Sequence, residues 1–72
     1  MNKLIHIVRD CNHDEDLKAF TSYQAAVQFA IENGKAYEET LNEEERQAWR
    51  KSIYKNDNDF FRITTLKLET GA

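Results

Sequence analysis

The alternation of apolar and polar residues predicts two strands in the first 20 residues. Residues 4 to 8, Leu-Ile-His-Ile-Val, carry mostly apolar side chains on both faces, which is typical of a central strand. Residues 10 to 16 are polar and acidic and predict a loop. Leu17 to Phe20 then predicts a short second strand that pairs back on the first as a hairpin.

A third strand is predicted from Phe60 to Leu68, after a turn in the polar residues 56 to 59. Phe61 and Ile63 would lie on one face of this strand. Leu66 and Leu68 would lie on the opposite face. Either both faces are partly covered, or a bulge near Thr64-Thr65 switches the phase. Residues 69 to 72 are expected to fray.

The middle of the chain has helical periodicity. Thr21 is predicted as the N-cap of a first helix, with Gln24 as its capping-box partner and Phe20 and Ala25 as a hydrophobic staple. Gly34 is expected to end this helix in a left-handed conformation. The apolar face of this helix would contain Tyr23, Ala26, Val27, Ala30 and Ile31.

A second helix is predicted to begin at Asn42, with Glu45 as its capping-box partner. Its acidic first turn and basic last turns both match the helix dipole. Residues 35 to 41 have two alternatives, a loop or an additional helical turn, because Tyr37 and Leu41 continue the apolar face of the first helix.

These elements predict an α+β fold in the order β-β-α-α-β, formed by residues 1–72 as a single domain. The simplest arrangement is a three-stranded, mainly antiparallel sheet with one or two helices packed on one face. The first strand is expected in the middle of the sheet because it is the most apolar.

Composition restricts the functional classes. Of the 72 residues, 40% are hydrophobic and 32% are charged, which is a globular composition. The net charge of −3 argues against nucleic-acid binding. No stretch is long and apolar enough to span a membrane or serve as a signal peptide. Because Cys11 is the only cysteine, a reducing compartment is expected, and the predicted location is the cytoplasm.

Two metal patterns are incomplete, and we predict no metal, cofactor or catalytic site. Residues 10 to 14 match the start of a calcium loop, but Glu15 and Thr21 stand where that loop needs Gly and a bidentate Glu. Cys11, His13 and His6 lack the spacing of a zinc site. The sequence contains no nucleophile motif or phosphate loop, so we expect no enzymatic activity.

The charged residues of the middle segment suggest a contact surface. An acidic helical surface can occupy a basic groove on a partner, although the same residues also suit a solvated helix start. We predict partner binding by Glu38, Glu39, Glu43, Glu44, Trp49 and Tyr54.

The alternative function is a nucleic-acid-binding accessory protein that uses the basic half of the second helix. Aromatic residues lie between these bases, as in single-strand binding surfaces. The bases are Arg46, Arg50, Lys51 and Lys55, to which Arg62 would be added.

The chain resembles small phage-encoded accessory and inhibitor proteins, including anti-CRISPR proteins, in its pattern of elements. The resemblance lies in the Ile5-His6-Ile7-Val8 strand, the Ala19-Phe20-Thr21-Ser22 entry to an Ala25-Ala26 helix, and the Phe60-Phe61-Arg62-Ile63 strand. It implies a non-enzymatic inhibitor or accessory factor that blocks a larger host protein or nucleoprotein complex. A further alternative is a small subunit of a homo-oligomer with no separate activity, and a homodimer is one form that such an assembly would take.

Overall fold

The computed structural model describes residues 2 to 69, and side chains from residue 3 to residue 68. The elements are β1 (Asn2–Asp10), β2 (Glu15–Phe20), α1 (Tyr23–Asn33), α2 (Lys35–Glu38), α3 (Glu43–Tyr54) and β3 (Phe61–Glu69). The sheet is antiparallel with the strand order β2-β1-β3. The predicted α+β fold and the central position of the first strand are therefore confirmed. The fraying predicted for residues 70 to 72 lies outside the described residues, whereas Glu69 belongs to β3.

The core lies between one face of the sheet and helices α1 and α3. It contains small and aliphatic residues of the helices together with the large aromatic Trp49, and it is closed by Val8, Phe61 and Ile63 of the sheet. Alanines on the buried side of α1 allow this helix to approach the sheet closely. The buried members of α1 are Ala26, Val27 and Ala30.

The bulge is on β2 and not on β3. The pairing of β1 with β3 is continuous from Asn2 opposite Glu69 to Asp10 opposite Phe61, so of the two predicted alternatives the bulge near Thr64-Thr65 is excluded. The register of β1 with β2 instead shifts between the Val8–Lys18 pair and the Arg9–Asp16 pair. Leu17 is therefore the extra residue of a bulge on β2, and it packs against the core. Leu66 and Leu68 consequently lie on the sheet face that carries no helix.

The two predicted helix starts have different outcomes. The first is wrong by one residue, because the N-cap of α1 is Ser22, whose hydroxyl accepts a hydrogen bond from the Ala25 backbone N–H at 3.2 Å, and not Thr21. The second is confirmed. Asn42 accepts from the Glu45 N–H at 2.9 Å, and Glu45 accepts from the Asn42 N–H at 3.0 Å.

Gly34 joins α1 to α2 without a left-handed conformation. Its φ of −93° and ψ of 12° are open to any residue, so the predicted left-handed cap is wrong. The reason for glycine is space. A Cβ atom at this position would lie 3.0 Å from Cζ2 of Trp49 and 3.2 Å from Cε2 of Phe61. Because the backbone does not turn left-handed at Gly34, α2 begins at the next residue. The additional helical turn, one of the two alternatives for residues 35 to 41, is therefore present as Lys35–Glu38.

Asparagine side chains close part of the outer edge of β3. Asn56 has a φ of +59°, and its side-chain amide donates to the Ile63 carbonyl at 2.9 Å and accepts from the Ile63 N–H at 2.8 Å. Asn58 accepts from the Phe61 N–H at 2.7 Å. These bonds replace those of a neighbouring strand, so the first half of β3 offers few free backbone groups for edge pairing.

Candidate functional site

The predicted contact residues lie at the turn between α2 and α3 and along α3. The carboxylates of Glu39, Glu43 and Glu44 are exposed, and Tyr54 is 60% exposed. Glu43 and Tyr54 are eleven residues apart, which places them on one stripe of the helix about 16 Å apart along its axis. The residues Glu39, Glu43 and Glu44 are called the acidic turn below.

Glu38 is not part of this exposed surface. Its side chain is 8% exposed, and one carboxylate oxygen, Oε1, accepts from Arg50 through Nη2 and, at 3.1 Å, through Nε. The Arg46 Nε lies 3.8 Å from the same oxygen. The hydrogen bonds from Arg50 lower the pKa of Glu38, although burial opposes this shift. Glu38 therefore fastens α2 to α3, and its charge is neutralised before any partner arrives.

Trp49 is also removed from the surface. It is 7% exposed, and its ring packs against those of Tyr37 and Phe60 at centroid distances of 5.0 and 5.2 Å. Its predicted partner contact is therefore replaced by a structural role in the core. Tyr37 is 41% exposed and forms the outer layer of this aromatic cluster.

The acidic turn is held by bonds on both sides. The Glu38–Arg50 ion pair fixes the end of α2, and the capping box of Asn42 and Glu45 fixes the start of α3. Within the described residues, no ion pair to Glu39, Glu43 or Glu44 is formed, although Gln47 donates a hydrogen bond to Glu43 at 3.4 Å. These three carboxylates consequently present negative charge on a fixed backbone.

The basic half of α3 has fewer side chains free to bind a phosphate than its sequence implies. Arg50 is committed to Glu38, and Arg46 approaches the same carboxylate while donating to the Leu41 carbonyl at 3.3 Å. Arg62 lies opposite Arg9 on the face of the sheet that carries no helix, away from α3. Lys51 and Lys55 are the cations that remain exposed on the last turns of α3.

The residues considered for metals are distributed over two regions. His6 is buried on β1, where its Nδ1 lies 2.8 Å from the Thr65 hydroxyl and its ring packs edge-on against Tyr23. His13 lies in the β1–β2 turn, where its Nδ1 is 2.8 Å from Asp10; this hydrogen bond raises the pKa of His13 and lowers that of Asp10. Among the described residues no group of three or more His, Cys, Asp or Glu could hold a metal ion.

Two further features are absent from the described residues. No pocket is present in the described part of the chain. Among residues 2 to 69, no helix has the length and apolar character needed to cross a bilayer.

One exposed surface lies outside the predicted contact residues. The face of the sheet that carries no helix exposes Leu66 and Leu68 to 45% and 46%. The sequence pattern indicates this face, because β1 is apolar on both faces and the apolar residues of β3 change from one face to the other between Ile63 and Leu66.

In the comparisons with known proteins, no protein family, no curated protein and no solved structure matches this chain.

Proposed function

We propose that the chain is a small protein-binding module, an inhibitor or accessory factor that blocks a larger host complex through its acidic turn. The observation that carries this proposal is the exposed stripe of α3 that begins with Glu43 and ends with the 60% exposed Tyr54, with the exposed Glu39 and Glu44 beside its start. Exposed carboxylates steer association with a basic groove, and tyrosine is among the residues enriched at the energetic centres of protein interfaces.

The fixed backbone of the acidic turn supports the same proposal. A charged surface that is already ordered loses less conformational entropy when it binds. The capping box at Asn42 and the ion pair of Glu38 with Arg50 supply this order without using the exposed carboxylates.

The alternative proposal, nucleic-acid binding by the basic half of α3, has less support. Phosphate binding requires several free cations, and two of the four bases of α3 interact with Glu38. The two remaining lysines are outnumbered by the exposed carboxylates at the start of the same helix.

The test is a triple variant, Glu39→Gln, Glu43→Gln and Glu44→Gln. Glu45 is excluded because its side chain caps α3. Stability should change by about 0.5 kcal/mol or less for the surface charges, plus a few tenths for the lost dipole interaction. After the tagged wild-type protein has captured its partner from a host lysate, the purified partner is titrated with each form by surface plasmon resonance.

The triple variant should associate at least about tenfold more slowly and with a flatter salt dependence. The matched control, Lys51→Gln with Lys55→Gln, changes charge on the same helix and should keep the wild-type rate. An unchanged affinity in a folded triple variant would mean that the acidic turn is only a solvated helix start. Loss of binding in the lysine control alone would favour the nucleic-acid proposal.

A further inference from the structure

One asparagine of the sequence is followed by glycine, at the junction of α1 and α2. Of the six asparagines only Asn33 precedes a glycine, and the others precede a lysine, histidine, glutamate or aspartate. The side chain of an asparagine can react with the backbone nitrogen of the next residue to form a five-membered ring. Glycine favours this reaction because it has no Cβ to shield the nitrogen and restricts the backbone least. Asn33-Gly34 is therefore the pair in this chain that is best suited to the reaction.

The reaction needs no reagent other than water. The Gly34 nitrogen attacks Cγ of Asn33, so an N–Cγ bond forms, the Cγ–Nδ2 bond breaks, and ammonia leaves with the proton of the Gly34 N–H. Water then opens the cyclic imide at either carbonyl. Cleavage of the new bond gives aspartate at position 33, whereas cleavage of the original peptide bond gives isoaspartate, in which the main chain runs through Cβ and Cγ. No atom is oxidised or reduced in either step.

The fold protects the nitrogen that would attack. This nitrogen must lose its proton before it reacts, and the Gly34 N–H is shared between the carbonyls of Ala30 at 3.0 Å and Ile31 at 3.2 Å. Gly34 is buried, and the rings of Trp49 and Phe61 lie so close that a Cβ would be 3.0 and 3.2 Å from them. Hydroxide from the solvent therefore reaches this N–H only when the junction opens.

The fold also directs the Asn33 side chain away from this nitrogen. Asn33 is the last residue of α1, and helical side chains point toward the N-terminus of their helix, whereas the Gly34 nitrogen lies on the C-terminal side. The Asn33 amide donates to the Phe29 carbonyl at 2.9 Å, which holds the side chain in that direction. Both reacting groups are thus held in unreactive positions in the folded protein and are released in the unfolded chain.

The isoaspartyl product does not fit the folded structure. It lengthens the main chain by one carbon atom at the junction, where the Glu38 N–H donates to the Gly34 carbonyl at 3.0 Å and starts α2. A filled core does not accept additional atoms without strain, and Gly34 has no spare space against Trp49. The new carboxylate also cannot donate to the Phe29 carbonyl. A modified chain would therefore be unable to rebuild the contact between α1, α2 and the core.

We propose that Asn33-Gly34 is a fold-protected modification site, at which the unfolded chain loses ammonia and is thereby prevented from refolding. The chain is its own substrate, and water is the co-reactant. The protein consequently has an irreversible limit on the time for which it can remain unfolded. This limit does not depend on the acidic turn or on its partner.

The experiment incubates the full chain at mildly alkaline pH, in buffer and in urea above the unfolding midpoint. Trypsin releases residues 19–35, which contain Asn33 as their only asparagine. Mass spectrometry then measures conversion of the amide to the acid, and an isoaspartyl-specific methyltransferase labels the isoaspartate. Conversion should be at least about tenfold faster in urea than in buffer. The matched control is Asn33→Gln, which keeps an amide but would have to form a larger ring, and it should stay unmodified in both conditions.

A second variant tests whether the native reaction passes through opening. Glu38→Gln removes the ion pair with Arg50, so its conversion in buffer should rise by about five- to thirtyfold, in proportion to the unfolded population measured by urea titration, while its conversion in urea stays unchanged. The modified wild-type chain is then separated by its additional negative charge and returned to buffer, where the isoaspartyl form should show no wild-type melting transition.

Three results would overturn the proposal. The first is equal conversion in buffer and in urea, because the fold would then give no protection. The second is a chain that stays unmodified at Asn33 in urea. The third is an isoaspartyl chain that refolds with the wild-type melting temperature, because the modification would then have no effect on folding.

Discussion

The substitution Gly34→Ala tests whether close packing, and not backbone conformation, requires glycine between α1 and α2. With a φ of −93°, alanine fits the backbone without strain. The new methyl group would meet Trp49 at 3.0 Å and Phe61 at 3.2 Å. Trp49 has little freedom to move because Tyr37 and Phe60 pack against its ring at about 5 Å.

The expected loss of stability follows from two opposing terms. Overpacking a filled core costs about 1–3 kcal/mol. Replacing glycine by alanine at a compatible backbone position restores about 0.4–1 kcal/mol by restricting the unfolded chain. We therefore expect a net loss of about 1–2 kcal/mol. For a domain of this size, that corresponds to a decrease in Tm of roughly 5–15 °C.

The assay is thermal and urea unfolding followed by circular dichroism, in the wild-type and Trp49→Phe backgrounds. The smaller ring of phenylalanine lacks the atom nearest to the new methyl group, so Gly34→Ala should cost less in that background, with a coupling energy on the order of 1 kcal/mol. An unchanged or raised Tm for the single variant would refute the packing argument. Equal costs in both backgrounds would refute the assignment to Trp49.

Glu38→Gln should destabilise the protein by about 1–2 kcal/mol at pH 7, because it removes charged hydrogen bonds to an arginine that remains partly hydrated. Since Arg50 lowers the pKa of Glu38, this contribution is present above the ordinary glutamate pKa and is lost as the pH falls through the lowered value, so urea titrations of variant and wild type should converge in acid. Asn56→Gly, which tolerates the positive φ, should cost about 1–2 kcal/mol for its two bonds to Ile63, and Asn56→Ala should cost more; equal losses would contradict a role for backbone conformation. A mobility-shift assay at about 150 mM salt should show no specific DNA binding, and a tight, salt-sensitive shift would support the alternative function.

The features that sequence predicted well depend on residues close together in the chain. The capping box of Asn42 and Glu45 spans three residues, and its pattern determines its geometry. The start of α1 was misplaced because Thr21 and Ser22 are adjacent hydroxyl residues with the same capping chemistry. Glycine at position 34 is compatible with both a left-handed cap and a crowded contact, and only the position of Trp49 distinguishes them.

The candidate site was harder to predict because it depends on distant residues. Glu38 lies in an acidic run that suggested a solvated surface, yet it is buried by an arginine twelve positions away. Trp49 is predicted from the sequence as a contact residue, and packing assigns it to the core. The sequence of β3 places Leu66 and Leu68 on the face opposite Phe61 and Ile63. Only the register of β1 with β3 shows that this second face is the one without helices.

The pairing of β1 with β3 also determines how the protein responds to mechanical load. Asn2 lies opposite Glu69, so the two ends of the described chain are side by side. Hydrogen bonds of an antiparallel pair run perpendicular to the strands. A force that separates these two residues therefore acts along the bonds and opens them one pair after another, starting at that end. The ribbon unzips at low force, and the core is disrupted only when the opening reaches Val8 and Ile63.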